Sequence, residues 1–175
     1  MSQSLPTFIE PLRFAETRRE LSGTLGLDRM DRLAESLYDG EGEVVLSLSF
    51  DRDRQGIPYA EAVIEARLRL TCQRCLGPWE TRVLREVRLA FTRHEADVQR
   101  LAEYGYEPVV MARQQLLLRE MVEDELLLAL PMIPRHPVEC RPKPPEAEEA
   151  GTPRRSNPFA ILARLKDGGS EPSEP

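Results

Sequence analysis

Hydrophobic and polar residues alternate with period two through the middle of the chain. Between Glu43 and Phe50, Val44, Leu46, Leu48 and Phe50 point one way, and Val45, Ser47 and Ser49 point the other. Ala60, Ala62, Ile64, Ala66, Leu68 and Leu70 then alternate with Glu61, Val63, Glu65, Arg67, Arg69 and Thr71. After Pro78 the pattern resumes, with Trp79, Thr81, Val83, Arg85, Val87, Leu89 and Phe91 against a mostly charged set. Runs of this kind are strands with one buried and one wet face. Only a short turn separates the last two, which predicts a long β-hairpin with its turn exposed at the tip. Weaker alternation predicts further strands over 21–27 and 106–111.

Helical spacing appears twice in the body of the chain. Asp28 reads as an N-cap to Met30, Leu33, Ala34 and Leu37, with Gly40 stopping the helix after about three turns. A second helix is predicted from Gln115 to Leu130, ended by Pro131. Its apolar face comprises Leu117, Leu118, Met121, Val122, Leu126, Leu128 and Ala129, with Glu125 in the middle. Either that carboxylate finds solvent or a partner, for which the Arg-rich strands supply candidates, or the ideal wheel misplaces it by a residue. Residues 1–20 read as a loose or extended entry and 92–107 as a polar loop carrying His94.

Six prolines make 131–145 irregular and stiff. An acidic, nearly apolar-free stretch follows, whose composition predicts disorder. Asn157, Pro158, Phe159, Leu162, Leu165 and Lys166 then outline a short C-terminal helix, with an N-cap, Pro at the first helical position and basic residues near its end. The expected fold is α+β: an antiparallel sheet with a long central hairpin packed by a few helices. A single domain at 1–140 precedes a disordered acidic linker at 141–156, a docking helix or motif at 157–166 and a disordered tail at 167–175.

Composition narrows the functional classes. A chain of 175 residues with net charge −6 and pI near 5.2 does not hold nucleic acid by bulk electrostatics. A local basic surface remains open, because from Tyr59 to Arg93 there are seven arginines (67, 69, 74, 82, 85, 88 and 93) against four glutamates. Alternating charge is also what any one-sided sheet displays. No apolar run approaches the roughly 20 residues of a membrane span, and the first ten residues lack signal-peptide character, so the expected location is cytoplasmic.

The sharpest chemistry is a pair of cysteines, Cys72 and Cys75, on the hairpin turn, with His136 and Cys140 on the proline-rich loop. Three thiols and an imidazole form a complement for tetrahedral zinc, and four protein ligands make such a site structural. A thioredoxin-like role is the alternative for the Cys-x-x-Cys pair. It calls for a helix N-terminus after the motif, whereas a strand pattern follows here. Unligated thiols are the remaining reading. There is no Gly-rich phosphate loop, nucleophile elbow or His-Glu-x-x-His, so a non-enzymatic role is expected.

Taken together, Thr71–Trp79, the run Met121–Pro131 containing Glu123, Asp124 and Glu125, the loop from Pro134 to Cys140, and Asn157-Pro158-Phe159-Ala160 leading to Leu165-Lys166 resemble the YceD family in order and spacing. The resemblance implies a ribosome biogenesis factor needed for accumulation of large-subunit (23S) ribosomal RNA. Two partner classes follow. In the first, Arg67, Arg69, Arg74, Arg82 and Arg88 contact the phosphates of large-subunit RNA or its precursor. In the second, the chain is an acidic adaptor for a ribosomal protein or processing enzyme, using the Glu123–Glu125 helix and the tail motif. A thiol oxidoreductase is the third class.

Overall fold

The structure is a computed structural model and describes residues 5–142. Its order is β1 (Phe8–Ile9), α1 (Pro11–Glu16), β2 (Glu20–Gly26), α2 (Asp31–Ala34), β3 (Glu43–Arg52), β4 (Pro58–Thr71), β5 (Pro78–Thr92), α3 (Val98–Glu103), β6 (Glu107–Val110), β7 (Leu116–Leu117) and α4 (Leu118–Ala129). The fold is α+β: a five-stranded sheet ordered β2-β3-β4-β5-β6 and a two-stranded sheet of β1 with β7.

The central hairpin forms as its alternation predicts, with antiparallel register from Tyr59↔Ala90 to Thr71↔Pro78. β2 and β3 extend the antiparallel set, whereas β6 joins β5 in parallel over Leu89–Thr92. Leu46, Leu48, Ile64, Leu68, Leu70 and Leu89 are fully buried on one sheet face, against Leu118, Val122 and Leu126 of α4. The opposite face carries the charged partners of each alternation and is open to solvent.

Four local expectations are corrected. Residues 8–16 are ordered rather than loose: Ile9 and Phe14 enter the core, Pro11 starts α1, and the Phe14 ring meets Phe50 edge-on at 5.4 Å between centroids. The helix expected after Asp28 shrinks to Asp31–Ala34, because Leu37 forms a bridge to Leu70 and the Tyr38 amide donates to the Arg69 carbonyl. Sheet pairing outcompetes helix continuation there. The 92–107 stretch contains α3, anchored by Leu101 against Ile57, Ala90 and Tyr106. Leu128, expected on the buried face of α4, is 70% exposed, and Glu123 is buried. Proline-rich residues 131–142 are irregular, as expected. The linker from residue 143 onward and the 157–166 helix lie outside the described residues.

Candidate metal centre at the hairpin tip

The tip is a tight turn closed by its own backbone. The Cys72 amide donates to the Gly77 carbonyl at 2.9 Å and the Leu76 amide to the Cys72 carbonyl at 2.9 Å. Leu76 takes φ 59°, the left-handed conformation that lets the chain reverse within so few residues. The proline-rich loop then docks on this turn, with the Gln73 amide donating to the Pro134 carbonyl at 2.8 Å. The tip is therefore not wholly exposed: Arg74 and Leu76 face solvent, but Cys72 is fully buried.

Docking brings Cys72, Cys75, His136 and Cys140 together, with all four candidate donor atoms within 4.8 Å of one another. The Sγ atoms of Cys72 and Cys140 are 3.7 Å apart, and Cys75 Sγ lies 3.5 Å from His136 Nδ1. A tetrahedron with metal–sulfur bonds of about 2.3 Å and metal–nitrogen bonds of about 2.0–2.1 Å has S–S edges near 3.8 Å and S–N edges near 3.6 Å. Both edges match. His136 Nε2 sits 3.1 Å from the Pro78 carbonyl, an acceptor that places the ring proton on Nε2 and leaves the Nδ1 lone pair directed at the cysteines.

The electrostatics of the four groups favour a cation. Burial pushes the Cys72 thiol up, but the backbone amides of Cys75, Arg74 and His136 and the His136 ring outweigh it and hold the thiol at about 5. Cys140 is pushed up to about 11, first by burial and then by the neighbouring Cys72 and Cys75 sulfurs. One thiolate so close makes the next costly, and a divalent ion removes that conflict. The four residues could thus hold a metal ion.

The arginines predicted to contact RNA divide into two groups. Arg82 Nε bonds Glu65 at 2.7 Å, Arg69 pairs with Asp39, and Arg88 lies 3.7 Å from Glu61 with its guanidinium over the Tyr59 and Tyr106 rings. Arg67 and Arg74 are exposed and have no ion-pair partner among the described residues. Exposed Arg135 and Arg141 adjoin the candidate ligands His136 and Cys140 in sequence.

The acidic run on α4 works inside the molecule. Glu123 accepts from the Arg32 and Leu33 amides at 2.8 and 3.0 Å, capping the short helix α2 from another element, and its second oxygen holds the Arg32 guanidinium at 3.0 Å. Asp124 accepts from the same guanidinium at 2.6 Å. Glu125 was not misplaced by the helical wheel. It is buried and accepts from Arg85 Nε at 3.0 Å, while Arg85 also pairs with Glu107. Sequence reasoning did not assign a role to Arg85. Its signal was present, because Arg85 occupies a core-facing position between Val83 and Val87.

A family model for the large ribosomal RNA subunit accumulation protein YceD matches residues 60–166. The large ribosomal RNA subunit accumulation protein YceD of Haemophilus influenzae is 31% identical over 168 residues, which span 93% of this chain and 96% of that protein. No solved structure gives a significant match.

Proposed function

This chain belongs to the YceD family, and we propose that it is a non-enzymatic factor supporting accumulation of large-subunit ribosomal RNA, with the hairpin tip as its RNA-contacting surface. The family match carries the reading, since its residues 60–166 include all but the first two residues of the hairpin and the loop that docks on it. The ion we assign to the tip is zinc. Thiolate and imidazole donors suit it, and four protein ligands leave no open position for catalysis. Its role is structural: it ties the loop to the turn and fixes Arg74 between two ligands, while Arg135 and Arg141 adjoin the other two in sequence. Arg67 continues the basic surface down the hairpin, and Arg69, Arg82 and Arg88 add charge already partly balanced by Asp39, Glu65 and Glu61.

Two measurements test this. Loss of the protein is expected to lower mature large-subunit RNA relative to small-subunit RNA. Purified protein is expected to bind large-subunit RNA fragments with an affinity that falls steeply with salt and falls again in Arg74→Glu. Unchanged RNA ratios would overturn the biological role, and salt-insensitive or absent binding would overturn the direct contact.

The net charge of −6 favours a second reading, an adaptor that steers a basic ribosomal protein or a processing enzyme. The carboxylates of Glu123, Asp124 and Glu125 are already engaged by Arg32 and Arg85. An adaptor surface therefore has to be sought among other acidic groups. A partner that co-purifies after nuclease treatment supports it.

A further inference from the structure

Among the described residues, strand β5 is paired along one side only over most of its length. β4 accompanies it through the hairpin, but on the other side β6 meets β5 only from Leu89 to Thr92. Among the described residues, 78–88 therefore present a row of backbone N–H and C=O groups with no strand beside them; His136 Nε2 approaches only the Pro78 carbonyl. The register with β4 runs without a bulge, and there is no proline from Trp79 to Arg88. An edge this long and regular is a template for another strand.

Charge and shape indicate what fits. On the open sheet face the edge shows Glu80, Arg82, Leu84, Glu86 and Arg88. Arg82 and Arg88 are balanced within the sheet by Glu65 and Glu61, whereas Glu80 and Glu86 have no ion-pair partner among the described residues. Leu84 lies between them, 51% exposed. Glu61, Glu86, Arg88 and Glu107 also line a cavity of about 550 Å³ at the β6 end of the edge. The uncompensated charge along the open row is negative, with an apolar contact at its centre.

A second copy of the chain does not fit as well. Antiparallel self-pairing centred on Leu84 would match Glu80 with Arg88 and Arg82 with Glu86. In that register, however, Trp79 of the second copy would stand opposite Leu89, in the lane β6 fills. Moving the pairing toward the tip, to centre on Arg82, sets that arginine against itself, and centring on Val83 sets Glu80 against Glu86. A single extended segment that ends before β6 avoids both conflicts.

We propose that the 79–88 edge of β5 binds an extended basic peptide segment by strand addition, with its cationic side chains on Glu80 and Glu86 and an apolar one on Leu84. The two glutamates are six positions apart on one face, so the peptide carries basic residues about 20 Å apart, in either strand direction. Backbone pairing supplies affinity and the alternate side chains supply selectivity. Arg82 and Arg88 lie on this edge as well as on the basic surface, but the peptide contacts at Glu80, Leu84 and Glu86 are separate from the RNA contact of Arg74, and either can fail without the other.

The probe is a labelled synthetic peptide of about ten residues, alternating valine and threonine with lysines six apart, followed by fluorescence anisotropy on the full chain. Methylating one backbone nitrogen that faces β5 is expected to weaken binding at least tenfold, since it removes a ladder bond without changing charge. Glu80→Lys with Glu86→Lys is expected to abolish binding of the lysine peptide and restore binding of its glutamate counterpart. Equal binding of the methylated and parent peptides overturns the proposal, as does no binding to the wild-type protein. Concentration-dependent self-association that the peptide fails to reverse would assign the edge to a second copy and overturns it as well.

Discussion

Cys72 and Cys140 bring their sulfurs to 3.7 Å across 68 positions of sequence, one from a hairpin turn and one from the loop that leaves α4. The separation is far beyond the roughly 2.05 Å of a disulfide and close to the edge of a metal-centred tetrahedron. Protein purified without an affinity tag is expected to contain one equivalent of zinc, displaceable by cobalt with the absorption of a tetrahedral thiolate site. Cys140→Ala is expected to lose the metal and lower the melting temperature, because the loop then loses its tie to the turn. Full metal content in that variant would show that the loop is not part of the centre.

Arg74 sits between the candidate ligands Cys72 and Cys75 with no ion-pair partner among the described residues, whereas Arg82 is held by Glu65 at 2.7 Å. Reversing their charges should therefore have different effects. Arg74→Glu is expected to leave thermal stability unchanged and reduce the salt slope of RNA binding by about one contact. Arg82→Glu places a second carboxylate against Glu65, so stability and binding fall together. Thermal melts alongside binding at several salt concentrations separate the two outcomes.

Much of this arrangement was legible in the sequence, for reasons that differ from element to element. The hairpin was plain because Ala60–Leu70 and Trp79–Phe91 alternate almost throughout, with Arg85 the exception on the core-facing side, and a one-residue slip would have buried most of the charges. The four metal-binding candidates were plain because soft donors are scarce in this chain. The short α2 was not legible: Leu33, Ala34 and Leu37 have helical spacing, and only the Leu37 bridge to Leu70, a long-range contact, ends the helix early. Burial of Glu123 was hidden for the same reason, since its partners are amides of Arg32 and Leu33 some ninety positions away. A carboxylate that caps another element leaves no local pattern.

Glu123 makes α2 pH-dependent. Burial raises its pKa, but hydrogen bonds from Leu33 and Arg32 outweigh burial and hold it below the ordinary 4.5. A depressed carboxylate contributes stability that is complete above its unfolded value and is lost as pH falls through the lower folded value. Glu123→Gln is expected to destabilise the fold by about 1–2 kcal/mol at neutral pH, through weaker hydrogen bonds to the α2 amides and to Arg32, which keeps Asp124. The gap from wild type should narrow in acid. Denaturant melts at neutral pH and below pH 4.5 check this, and a constant gap would sink the assignment.

Glu125 behaves in the opposite way, although it lies two positions along the same helix. Burial dominates and raises its pKa above 4.5; the Arg85 hydrogen bond opposes the rise and Glu107 adds to it. A raised carboxylate favours the folded state only while protonated, so its contribution is lost as pH climbs through the folded value. Glu125→Gln, which stays neutral and can still accept from Arg85, is expected to be as stable as wild type or more so at neutral pH. Arg85→Ala is expected to be far worse, on the order of 3–5 kcal/mol, because it strands Glu125 in the core beside Glu107. Combining Arg85→Met with Glu125→Leu should recover most of that loss by replacing a buried ion pair with packed side chains. A double variant no more stable than Arg85→Ala would show that Arg85 acts mainly by tethering Glu107 and β6, and that its bond to Glu125 matters little.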